Sequence, residues 1–187
     1  VLFAFQTLSW ADDIRDFQLE GMSIGDSLLD YFSEEKIKKT AKVPRYKIKK
    51  WLRFAFFNEN FFKDYEILRI YTLKKDKKYK IHSLSGLIEF PSNLDGCLNK
   101  KKEVVADIDE LFLNNYFINK IEPKKYKLKQ DKTNKSFIYS TEYHFKNNEG
   151  IRVSCYDWSK ETTFTIKLSV NLQSKEFKDF LENLAFK

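Results

Sequence analysis

Cys155, His144 and Asp157 are the residue types in this chain that come nearest to a catalytic set. A cysteine nucleophile acts as the thiolate, so it needs an imidazole or other cation beside it. Three features oppose that chemistry here. Cys155 has a partner available in Cys97, the chain's only other cysteine. His144 stands between Tyr143 and Phe145 and beside Glu142, which puts it on the opposite side of an alternating strand. No glycine-bearing elbow or oxyanion turn flanks Cys155. A small thiol-dependent hydrolase using Cys155 and His144 is therefore the second reading, behind a non-enzymatic domain. The two histidines, His82 and His144, and the two cysteines share no ligand spacing, so no metal is expected. Adjacent acids at Asp12–Asp13 and Glu34–Glu35 read as helix-start charge. Neither GxxxxGK[ST] nor GxGxxG occurs, and no cofactor is expected.

Two features point to binding instead. Lys120, Lys124, Lys125, Lys127, Lys129, Lys132 and Lys135 crowd one stretch with Tyr116, Phe117 and Tyr126. Residues 114–136 lack a clear period, so the stretch reads as a long loop able to grip an anionic polymer or lipid surface. The competing reading is a solvated, lysine-rich loop with no role. Tyr156 and Trp158 follow Cys155 closely and offer rings for stacking a sugar or planar ligand; a tryptophan at a strand end also commonly closes a core.

The elements that would position these residues follow from periodicity. Gly21-Met22-Ser23 opens a helix signal, with Ser23 as cap, Asp26 as the reciprocal carboxylate and Leu28, Leu29 and Phe32 as its apolar stripe. Ser33 starts a second short turn with acids first and lysines last. Residues 47–57, 66–73 and 79–90 read as strands, the last two joined by a hairpin loop at 74–78. Pro91-Ser92-Asn93 caps a long helix over 94–113, whose apolar stripe is interrupted only by Lys101 and carries Cys97 inward. Residues 137–145, 151–155 and 164–172 alternate as three strands, and Ser174 caps a closing helix. The sum is an α+β domain: an antiparallel sheet of about six strands with two or three helices packed on one face. Cys97 and Cys155 then meet between the layers as a disulfide; if the compartment is reducing, they are two buried thiols.

Residues 1–11 read as a signal-peptide remnant: the apolar run Val1–Leu8, then Ser9-Trp10-Ala11 before acids. An N-terminal core strand is the alternative. Residues 12–187 form a single domain of ordinary size. With 42% hydrophobic and 33% charged residues, the chain is neither disordered nor membrane-spanning. The net charge of +7 permits an anionic partner, although a lysine-rich composition gives the same figure without one. A periplasmic or secreted protein is expected, with another envelope protein or an anionic polymer as partner, no nucleic acid and no transmembrane segment.

Three stretches carry a resemblance: DFQLEGMSIGDSLLDYF at 16–32, YKIHSLSGLIEFPSNLDGCLNKKKEVVADIDELF at 79–112 and VSCYDWS at 153–159. They resemble uncharacterised exported two-cysteine proteins of AT-rich marine bacteria. That resemblance implies a secreted α+β domain and no particular activity. The Gly21-Met22-Ser23 start is also similar to that of BamE/SmpA-type outer-membrane assembly lipoproteins, an analogy of shape only. This chain departs from them in having no lipid-bearing cysteine after Ala11.

Overall fold

Alternation of large apolar and polar side chains builds all but one of seven strands: β1 (Trp51–Phe57), β2 (Ile67–Leu73), β3 (Ser83–Glu89), β4 (Ile118–Lys127), β5 (Phe137–Phe145), β6 (Gly150–Asp157) and β7 (Lys167–Gln173). The computed structural model describes residues 13–58, 62–112, 118–128 and 131–185. The 1–11 segment expected as a signal-peptide remnant lies outside them, as do Asp12, Tyr116, Phe117 and Lys129. The strands form one antiparallel sheet in the order β1-β2-β3-β7-β6-β5-β4, one strand more than the sequence led us to expect. β7, last in the chain, inserts between β3 and β6 and joins the two halves of the sheet.

Among the described residues, three α-helices and two 3-10 turns complete the fold. The turns are Ile14–Asp16 and Leu28–Asp30; the helices are α1 (Glu34–Thr40), α2 (Leu94–Leu111) and α3 (Lys175–Asn183). Each helix opens on a side-chain cap: Ser33 accepts from Lys36 N, Asn93 from Gly96 N and Ser174 from Phe177 N. The helix expected from Ser23 does not form. Ser23 N–H does donate to the Asp26 carboxylate at 2.8 Å, but Gly25 takes φ +96° and turns the chain away from a helical path.

One face of the sheet carries the main core. Phe54, Ile70, Leu84, Leu172, Val153 and Tyr143 are all buried on it, and α2 lies across it. Cys97 in the first turn of α2 is bonded to Cys155 on β6. The lysine that interrupts the α2 stripe is accommodated there, Lys101 Nζ donating to Thr141 Oγ1 at 2.6 Å. Tyr65 lies flat on Gly86, where an added Cβ would sit 2.4 Å from the ring.

The helices do not share one face. Trp51, Tyr71 and Leu73 point the other way from Phe54 and Ile70, as strand parity requires, and α3 packs on them through Phe177 and Phe180. A second, smaller core therefore sits at one end of the opposite face, and no helix among the described residues packs on the rest of it.

The structure also corrects the expected 114–136 loop. Residues 118–127 are β4, the edge strand, with a register shift between Ile121 and Lys124. The stretch after it is a tight turn built on Asp131, whose carboxylate accepts from Thr133 N and Oγ1 and from Ser136 N and Oγ. Those bonds, Thr133 first and then Ser136, hold its carboxyl well below the usual carboxylate range.

Two stability changes follow. Replacing Cys97 and Cys155 together by Ser should cost about 4 kcal/mol in the chain-entropy model for a bridge spanning 58 residues of sequence. Urea unfolding followed with and without reductant reads this, and equal midpoints would deny the bond a stabilising role. Gly86→Ala should cost roughly 1–3 kcal/mol by overpacking against Tyr65; an unchanged melting temperature would mean that the ring moves aside freely.

Candidate functional site

The uncovered part of the second face is unusual in its residues. A solvated strand face normally carries long charged or β-branched side chains. Here the central strands carry Ser83 and Ser85 on β3, Ser169, Asn171 and Gln173 on β7, and Ser154 on β6. All but Asn171 are at most 6% exposed, although α3 reaches only one end of this surface. Long side chains cover them instead. Register places Arg69, Ser85, Asn171, Arg152 and Glu142 in one row across five neighbouring strands. Arg69 and Arg152 are three strand spacings apart, about 14 Å between Cα atoms at ~4.8 Å per strand. Their guanidiniums are carried at the two ends of a serine- and asparagine-lined floor. Tyr71, Tyr156 and Tyr46 wall the cleft, α3 closes one end with Phe177 and Leu181, and a cavity of about 130 Å³ remains.

The polar atoms of the floor are fixed by one another. Asn171 Nδ2 donates to Ser85 Oγ at 2.6 Å and to Ser83 Oγ at 3.0 Å. Each serine hydroxyl thus accepts from asparagine and keeps its own proton to donate. Ser140 and Ser154 satisfy each other at 2.8 Å.

The charges of the cleft are uneven. Arg152 Nε lies 3.0 Å from Glu142 Oε1, a contact of charge rather than a well-directed hydrogen bond. Glu142 also meets His144 Nε2 at 3.0 Å. Burial pushes the Glu142 carboxyl up, but Arg152 and His144 outweigh it and hold the carboxyl below its ordinary value. Lys167, on the same face and level with Tyr156, approaches Glu89 only to 4.0 Å, and burial followed by the charge of Arg69 depresses its ammonium pKa. Burial raises the phenol of Tyr156, while Arg152 and then Arg69 pull it back, so both guanidiniums bear on that ring. Arg69 has no hydrogen bond or ion pair among the described residues. The arrangement presents guanidinium forks and hydroxyl donors to one small volume, which is the chemistry that receives a carboxylate, sulfate or phosphate group.

The sequence-selected residues fall elsewhere, with one exception. Cys155 is bonded to Cys97 and lies on the core face, while His144 lies on the open face; the fold does not bring them together. No group of three or more metal-ligating side chains occurs among the described residues. The lysines of 120–135 are dispersed rather than gathered. Lys120 pairs with Asp109 on α2 at 2.6 Å, Lys135 pairs with Glu161, and Lys125 sits 4.1 Å over the Phe137 ring. Register puts Lys124 on the open face, level with Ser140, and Lys127 on the other face, level with Phe137. Lys132 is exposed in the Asp131 turn, and Lys129 lies outside the described residues. Tyr156 is the exception, lining the cleft. Trp158 runs parallel to it with ring planes 12° apart and centroids 6.5 Å apart, and packs against Phe164 at 4.5 Å.

The fold and its cleft define an α+β domain whose sheet is covered on one face and polar on much of the other. No protein family, curated protein or solved structure matches the chain.

Glu142 gives the cleft a pH signature. Its folded pKa is depressed, so its contribution to stability is present above the ordinary carboxylate value and is lost as pH falls through the folded value. Arg152→Gln should raise the Glu142 carboxyl pKa and shrink that acid-side loss. A carbon-detected NMR titration of the side chain reads it; an unmoved titration would uncouple the two groups.

Proposed function

We propose that the chain is a non-enzymatic binding module, exported to an oxidising compartment, that takes an anionic group in the open-face cleft. One observation carries the reading: Arg69 is half-buried beside a hydroxyl-rich floor and no carboxylate among the described residues pairs with it. A guanidinium held out of bulk water without a counter-charge costs stability, and a ligand anion would relieve that cost. The ligand group is carried by another envelope component, a protein or an anionic polymer. The bonded cysteine pair supports export, since such bonds persist where thiols oxidise. No helix among the described residues is long and apolar enough to cross a membrane. The lysines of β4 add general attraction for anions and not a site, because they lie on both faces. The thiol-hydrolase alternative draws no support from the placement of Cys155 and His144.

The test uses inorganic phosphate and sulfate as probes. Side-chain Nε–Hε signals of Arg69 and Arg152 should shift saturably on titration. Arg69→Gln should weaken the binding by roughly tenfold or more, the value of one charge-assisted hydrogen bond. Lys124→Gln with Lys132→Gln should leave it nearly unchanged. Shifts confined to β4, with silent cleft arginines, would overturn the reading.

A further inference from the structure

A second, wider groove opens beside the cleft. It runs between α1 and the β1–β2 end of the open face, with a volume of about 700 Å³. Its cations are Lys36, Lys39, Lys42, Arg53 and Arg69, against Glu35 as the one acid among the described residues. Its floor is apolar: Ala55, Ile67 and Phe57, the last 64% exposed. Arg69 lines both the groove and the cleft, so the two adjoin at that side chain and together make a depression across the sheet. At the far side of the cleft stand Tyr156 and then Trp158, with Phe164 against it and 57% exposed.

Resting on the cleft reading, we propose that this depression binds an extended acidic polysaccharide, laid across the strands from Phe57 to Tyr156. Three features select that ligand over a single small anion. First, arginines stand on β1, β2 and β6 (Arg53, Arg69 and Arg152), and β1 and β6 are four strand spacings apart, about 19 Å at ~4.8 Å each, farther than one carboxylate or sulfate reaches. Second, the surface alternates in chemistry along that path. Phe57, Ala55 and Ile67 offer apolar ground to the C–H faces of sugar rings, and Tyr156 does so again beyond the arginines. Between them Ser83, Ser85 and Asn171 offer hydroxyl and amide partners for sugar hydroxyls. Third, α3 closes the depression along one side, so a chain is guided across the strands and does not lie along them. Arg53, Lys39 and Lys42 have no carboxylate partner among the described residues, so their charge is available at the groove end.

The test is calorimetry on the intact chain with heparin-derived oligosaccharides from disaccharide to decasaccharide at low salt. Affinity should rise by about tenfold or more with length and then level off once the depression is filled, because each added contact is made at high effective concentration. Phe57→Ala and the pair Lys39→Gln with Lys42→Gln should abolish that gain with length while leaving phosphate binding at the Arg69–Arg152 cleft intact. These side chains are exposed or at the surface; an unchanged melting temperature confirms that the variants fold. Equal affinity at every length, with phosphate still bound in the cleft, would overturn the extended site and leave the cleft reading standing. Loss of phosphate binding as well would remove both. A single-stranded DNA oligonucleotide that binds as tightly and with the same variant profile would overturn the polysaccharide as ligand.

Discussion

Helix α2 is joined to the sheet by a covalent bond: Cys97, in the first helical turn, to Cys155 on β6, next to the inserted strand β7. That single constraint decides what each face of the sheet can be. Because side chains alternate along a strand, fixing Cys155 inward fixes Ile151 and Val153 inward with it, and sends Arg152, Ser154 and Tyr156 outward. Register then transmits the choice strand by strand to Leu168 and Val170, Leu84 and Gly86, Ile70, and Phe54. The cleft is the complement of the core: each of its sheet residues is the sequence neighbour of a buried apolar one. Chain-entropy loss in the unfolded state makes the same bond a thermodynamic anchor for the layer.

The two edges of the sheet are handled differently, and the difference bears on what the lysines do. β4 is an open edge, and it is short of apolar side chains, rich in lysine and interrupted at Pro123 by the register shift between Ile121 and Lys124. Charge, proline and irregularity on an edge strand all discourage pairing with another chain. A structural reason thus exists for lysines at 120–127 before any ligand is considered. The β1 edge is instead covered: Lys42 exchanges both backbone hydrogen bonds with Arg53, at 2.8 Å each, and α1 follows alongside. Covering that edge is what creates the basic groove, since α1 brings its lysines up to the β1–β2 surface.

These facts explain which parts of the molecule could be read from the sequence. β5, β6 and β7 were legible because Tyr139, Thr141 and Tyr143, or Leu168, Val170 and Leu172, alternate against polar neighbours over a full strand. Helix α2 was legible from its cap and stripe, and the pairing of its cysteine from the coincidence of two inward faces. β4 was not legible, because an edge strand protected by charge has no apolar period to read. The turn at 23–26 misled, because Ser23 and Asp26 make half of a capping box while Gly25 adopts a backbone incompatible with the helix they would start. The cleft was hidden for a topological reason. Arg69, Ser85, Asn171 and Arg152 are far apart in the chain and become a row only through the order β2-β3-β7-β6. A faint local signal existed: small polar residues occupy the outward positions of β3, β6 and β7, where long solvated side chains would be ordinary.

Electrostatic pairing separates the cleft from the rest of the surface more sharply than net charge does. Most half-buried cations in this fold are answered locally. Lys101 has Thr141, Lys120 has Asp109 with Tyr143 sharing the carboxylate at 2.8 Å, and Arg152 has Glu142. Even Lys167 has Glu89, although at 4.0 Å. Arg69 has no such answer, yet it stands between a groove and a cleft whose other cations raise the local potential further. An arginine left without a counter-charge in a concave polar site bears a stability cost there. Folding alone gives no reason to bear it, since a glutamine or leucine at that position would cover Ser85 equally well. The account that removes the inconsistency is a bound anion, which turns the unpaired guanidinium into the strongest contact of the site.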